Sequence, residues 1–83
     1  MTGPILIVDD DPVQRRLLQA AVTKAGYEAL LAEGGEVALR LLDANDVSVV
    51  ILDLVMPDLG GIEVLKRMRD RGMFIPVIVQ TSQ

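Results

Sequence analysis

The chain has 83 residues and a net charge of −4; half of it is apolar, with one Tyr, one Phe and neither Cys nor His. That excludes disulfides, thiolate chemistry, Cys/His zinc sites and His-based acid–base catalysis, leaving Asp, Glu, Ser, Thr and Lys as the reactive groups. The lack of a basic patch argues against nucleic-acid binding by this segment. No apolar run approaches the ~20 residues needed to cross a bilayer and no signal-peptide pattern opens the chain, so the expectation is a soluble, cytoplasmic protein.

Ile5–Val8 is a short apolar, β-branched run that fits a strand buried on both faces. Asp11-Pro12 reads as a helix N-cap followed by Pro in the first turn. Val13, Leu17, Leu18 and Ala21 then recur at helical spacing, with Arg15, Arg16 and Gln19 on the other side, up to a stop at Gly26. Tyr27–Ala32 is a second strand, broken by Gly34-Gly35, and Glu36–Leu42 a second helix. Val47–Leu54 is the longest apolar run and the third strand. Met56–Gly61 is a turn-rich loop. Ile62, Leu65 and Met68 mark a third helix that ends near Arg71-Gly72, and Ile75–Gln80 is a fourth strand. The order β-α-β-α-β-α-β predicts an α/β fold: a parallel sheet with helices on both faces.

Ligands of open parallel sheets bind beyond the carboxyl ends of the strands. Asp9, Asp10 and Asp11 follow the first strand, Asp53 closes the third, and Thr81 and Ser82 follow the fourth. Clustered carboxylates repel. A hard divalent cation offsets this, and Mg²⁺ takes carboxylate and carbonyl oxygens, which leads from the acids to phosphoryl chemistry. Blander readings stand beside this one. Asp11 before Pro12 is first a helix cap, Thr81 alone is a strand-end hydroxyl, and Gly60-Gly61 is a turn that opens the third helix. Asp53 alone is balanced between a structural and a functional role, although an unpaired charge ending an apolar run is costly.

Taken together, Ile5-Leu6-Ile7-Val8-Asp9-Asp10-Asp11-Pro12, then Asp53-Leu54-Val55-Met56-Pro57-Asp58-Leu59-Gly60-Gly61, then Pro76-Val77-Ile78-Val79-Gln80-Thr81-Ser82 resemble a response-regulator receiver domain of two-component signal transduction. The resemblance runs the length of the chain. It implies a flavodoxin-like, doubly wound sheet with strand order 2-1-3-4, the family's fifth strand and its lysine not being represented, so that residues 1–83 correspond to the N-terminal two-thirds of the domain. It implies Asp53 as phosphoacceptor and Thr81 as switch hydroxyl. Mg²⁺ would be held by Asp10, by Asp9 through water, by Asp53 and by the backbone carbonyl of Val55. Pro57 and Gly60 would shape the loop between.

The implied partner is a sensor histidine kinase whose helical bundle docks beside the first helix, with Gln14, Arg15 and Leu18 as the expected contact residues. The implied activity is a phosphorylation-regulated switch with weak self-phosphorylation and self-dephosphorylation, not an enzyme proper. Pro76–Thr81 looks somewhat like receivers joined to enhancer-binding transcription activators. The fourth strand is expected to be an open edge able to drive self-association. Two other readings are kept open. Asp9-Asp10-Asp11-Pro12-Val13 also fits the Asp-x-Asp motif of haloacid-dehalogenase-type phosphatases, with Asp9 as nucleophile and Asp11 as acid. A receiver that only binds a partner, without phosphorylation, is the third.

Overall fold

A computed structural model describes residues 3–80. They form β1 (Ile5–Val8), α1 (Pro12–Lys24), β2 (Ala29–Ala32), α2 (Gly35–Ala44), β3 (Val49–Asp53), α3 (Gly61–Asp70) and β4 (Val77–Gln80). The four strands make one parallel sheet in the order β2-β1-β3-β4. Both the expected alternation and the expected strand order are therefore present.

The inner strands β1 and β3 are solidly apolar because they lie between helices on the two faces of the sheet. On one face Leu6, Val8, Val50 and Leu52 pack with Ala38, Leu39 and Leu42 of α2 and Val64 and Met68 of α3. On the other Ile5 and Ile7 pack with Val22 of α1, flanked by the half-buried Leu18, Val49 and Ile51. Leu6, Ile7, Val50 and Leu52 are fully enclosed, each contributing about 1.5–3 kcal/mol of burial.

Local chemistry sets the helix ends. Asp11 caps α1 through its side chain, which accepts from the Val13 N–H at 3.0 Å, with Pro12 directly behind it. Gly26 and Gly72 follow the ends of α1 and α3 at φ of 95° and 72°, the left-handed backbone that glycine adopts without strain. Three strands are shorter than expected, β4 among them, which begins at Val77 and not at Ile75. Val47 is buried ahead of β3 while Ser48 bonds back to the carbonyls of Gly3 and Pro4, and Tyr27 and Glu28 precede β2.

The expected apolar stripe of α1 is corrected. Val13 and Leu17 are 67% and 62% exposed, whereas Val22 is buried and Leu18 packs beside it. Gln14, Arg15 and Gln19 are half-buried on the inward side. Leu17 and Leu18 are adjacent, so either could have led the inward face. The phase is set by the Asp11 cap and by Arg15, whose guanidinium turns in to meet the end of β1.

Candidate functional site: a carboxylate cluster at the carboxyl edge

Parallel strands of matched register bring their carboxyl ends to one edge. Val8 lies opposite Leu52, so Asp9 emerges beside Asp53. Oxygens of Asp9, Asp10 and Asp53 lie within 4.8 Å of one another, a donor set able to hold a metal ion. Asp9 and Asp53 are 3% and 2% exposed and Asp10 stands in solvent. An adjacent pair of acids and a third more than forty positions away are thus in one place.

Backbone donors meet part of the charge. One oxygen of Asp9 accepts from the Asp11 N–H at 2.9 Å, and Asp53 Oδ1 accepts from the Val55 N–H at 3.1 Å. Asp53 Oδ2 is buried with no hydrogen-bond partner among the described residues. A buried carboxylate oxygen without a donor is expensive. Burial pushes the Asp9 carboxyl above the ordinary carboxylate range, the Asp11 N–H pulls it back, and the charges of Asp53, Asp10 and Asp11 push it up again. An orphaned oxygen inside a mutually repelling, oxygen-only donor set fits a hard divalent cation.

The other expected site residues divide. Val55 joins the site through its backbone while its side chain is 55% exposed. Gly60 and Gly61 open α3 as a turn should. A Cβ on Gly61 would sit 2.6 Å from the Asp53 carbonyl oxygen, so α3 starts against the backbone of Asp53 itself. Thr81 lies outside the described residues. Asp11 stands outside the carboxylate cluster, with its side chain committed to the α1 cap. That removes the acid on which the phosphatase reading depends.

Two residues escaped the sequence reading. Arg15 donates from Nη1 to the Asp9 carbonyl at 2.8 Å and so braces the acidic turn. Its signal was its place one helical turn after the cap, where the chain comes back over the end of β1; the Arg15 N–H closes that turn on the Asp11 carbonyl at 2.9 Å. Arg15 is therefore an internal brace, where docking to a kinase was expected. On the exposed side of α1, Pro12, Val13, Arg16 and Leu17 line a shallow groove. The second missed residue, Asp58, reaches the start of α2, a contact 23 positions away in sequence with no local signature.

A sheet ordered 2-1-3-4 with acids gathered at the ends of β1 and β3 defines a flavodoxin-like domain with an anionic, metal-type site. The chain belongs to the response regulator receiver domain family, whose profile matches residues 5–83. It is 34% identical over its whole length to PhoP, the alkaline phosphatase synthesis transcriptional regulatory protein of Bacillus subtilis, and covers 35% of that protein. It is 38% identical over 94% of its length to the sensor histidine kinase RcsC of Escherichia coli, and covers 8% of it. Among solved structures, TrrA of Thermotoga maritima in complex with Mg²⁺-BeF superposes with a TM-score of 0.90 at 38% identity, over 96% of this chain and 70% of that one. The chemotaxis protein CheY4 of Vibrio cholerae superposes at 0.92 and 29% identity, over all of this chain and 71% of that one. The chain thus spans about a third of one curated relative and less than a tenth of the other. Receivers are regulatory domains of response regulators and sensor kinases. Among the described residues no helix is long and apolar enough to cross a membrane.

Proposed function

We propose that this chain is the phosphoacceptor part of a two-component switch and that Asp53 receives the phosphoryl group. One observation carries the reading: Asp53 Oδ2 is buried inside the Asp9–Asp10–Asp53 cluster without a hydrogen-bond partner among the described residues. Mg²⁺ would be held by Asp10, Asp53 and the Val55 carbonyl, with Asp9 behind a metal-bound water. When bound, it neutralises the charge that gathers on the transferring phosphoryl oxygens.

The residues of the chain do the rest. Asp53 attacks phosphorus in line with one carboxylate oxygen, forming an acyl phosphate. The bond from phosphorus to the kinase histidine, or to the leaving oxygen of a small phosphodonor, breaks, and the leaving group keeps the electron pair. The Val55 N–H fixes the Asp53 rotamer by holding Oδ1, and Arg15 holds the turn that carries Asp9 and Asp10. Thr81 is the hydroxyl proposed to turn toward the phosphoryl group and bias the following loop. The stored acyl phosphate is a signal and not a released product.

Incubation of the protein with acetyl phosphate and Mg²⁺ tests this. One alkali- and hydroxylamine-labile phosphoryl group per chain is expected on Asp53, lost in Asp53→Asn and weakened in Asp9→Asn. Turnover that survives Asp53→Asn but not Asp9→Asn overturns the assignment in favour of the phosphatase.

A sensor histidine kinase is the proposed donor, and the groove of Pro12, Val13, Arg16 and Leu17 is its proposed contact. Exchanging Val13, Arg16 and Leu17 for the residues of another receiver is expected to change which kinase transfers phosphate. Residues 1–83 are proposed as the N-terminal two-thirds of the receiver, and the cytoplasm as its compartment. Self-association of residues 1–83 through β4 is proposed because, among the described residues, β4 is at the edge of the sheet with Ile78 and Val79 57% and 49% exposed. Sedimentation of the 83-residue chain across concentrations checks it.

A further inference from the structure

The start of α2 lacks a cap of its own. Its N-cap position is Gly34, which has no side chain to offer the first turn, although four N–H groups there need acceptors. The acceptor comes from the loop between β3 and α3. Asp58 Oδ1 faces the Gly35 N–H at 3.4 Å. Its carboxylate fills the space a side chain at Gly34 would need: a Cβ there would lie 2.6 and 2.8 Å from the two Asp58 oxygens. The next residue repeats the pattern, since a Cβ on Gly35 would lie 2.6 Å from the Leu59 carbonyl oxygen. The double glycine therefore lets the tip of one loop lie directly on the start of another element. Desolvation works against the Asp58 charge, but the N–H groups of Leu59, Gly35, Glu36 and Asp58 itself outweigh it and hold its carboxyl below the ordinary range.

That loop is the one that leaves Asp53. Its base is closed by the Gly61 N–H on the Leu54 carbonyl at 3.2 Å, and Val55 lies just inside it. We propose that Asp58 is a positioning residue: by capping α2 from outside, it tethers the loop that presents the Val55 carbonyl to the metal. The inference rests on Asp53 as phosphoacceptor and Val55 as metal ligand. A loop closed at its base and pinned at its tip has little freedom left between, and that is where the Val55 backbone must hold its orientation. Outer contacts that fix the ligands of a metal change its affinity without touching it.

A helix cap and a loop tether are separable by moving the cap. Asp58→Ala should lower the melting temperature of the metal-free protein, weaken Mg²⁺ binding by about tenfold, the low end of what outer contacts of metal ligands cost, and speed amide exchange from Val55 to Leu59. Asp58→Asn, whose side-chain oxygen still accepts, should keep most of all three. The double variant Asp58→Ala/Gly34→Asn puts a cap back on α2 in the vacated space, but from its own chain position. It should recover the melting temperature while Mg²⁺ stays weakly bound and the loop amides stay fast. Recovery of Mg²⁺ affinity together with the melting temperature would show that Asp58 is only a cap, and unchanged affinity and exchange in Asp58→Ala would also overturn the tether. A wild-type protein that binds no Mg²⁺ would instead refute the functional reading, and the exchange of the metal-free loop would still decide whether Asp58 pins it.

Discussion

The two faces of the sheet are built differently. Among the described residues, the face under α2 and α3 encloses eleven buried side chains in one cluster, whereas the face under α1 encloses three. Two helices cross-linked by Arg71–Asp43 and Arg67–Glu36 cover the first. Among the described residues a single helix covers the second, and it turns Val13 and Leu17 outward. Where two helices share a face, each fills what the other leaves, and packing specifies the phase of both. Where one helix works alone, its phase depends on its ends and on the polar contacts it makes.

The largest expected break in this comparison is Leu6→Ala. Leu6 is fully enclosed on the two-helix face, and its truncation should cost about 3 kcal/mol in urea denaturation, including the cavity it leaves. Val22→Ala, on the one-helix face, should cost about 1–2 kcal/mol, because less material is removed and open surroundings can relax. Equal losses would mean that the faces are equally well packed.

The carboxylate edge between the faces should respond with the opposite sign. In chelator, Asp9→Asn should stabilise the protein at neutral pH by something on the order of 1 kcal/mol, by relieving a buried repulsion. The direction with pH comes from the raised carboxyl of Asp9. As pH rises from the unfolded carboxylate value toward the raised folded one, the unfolded chain releases its proton first, so stability falls across that window. Asp9→Asn should flatten that slope in a denaturation series from acid to neutral pH, and an unchanged slope would place the strain elsewhere. The smallest effect is expected at Leu17→Gln, within about 0.5 kcal/mol of wild type. A larger loss there would mean that α1 uses the face assigned to it by hydropathy.

Hydropathy misplaced the inward faces of α1 and of α3, where Ile62 is 54% exposed and Val64 fully buried, but it marked the inner strands for one physical reason. Ile5–Val8 and Val49–Asp53 are buried on both sides, so a continuous apolar run signals them without any choice of face. Asp9, Asp10 and Asp53 were legible because parallel strands of equal register deliver their terminal residues to one edge. In α1 the adjacent Leu17 and Leu18 are equally apolar, and the phase was decided by a guanidinium and a backbone carbonyl, which hydropathy does not weigh. Asp58 read as an ordinary loop acid, because its partner is the bare backbone of Gly35, a residue type that advertises a turn and not a contact.

The short path from Asp9 to Arg15 also limits how the sequence can drift. Asp11 starts the helix, and one turn later Arg15 closes back on Asp9. A residue inserted between them would rotate the rest of α1 by about 100°, carrying Arg15 away from the acidic turn and Val22 out of the core together. A residue inserted in the exposed Asn45–Asp46 connection meets no such coupling and can bulge into solvent. Length variation should therefore be tolerated in that connection and purged from the stretch between Asp9 and Arg15 that joins the first strand to its helix, even where substitutions within it are harmless.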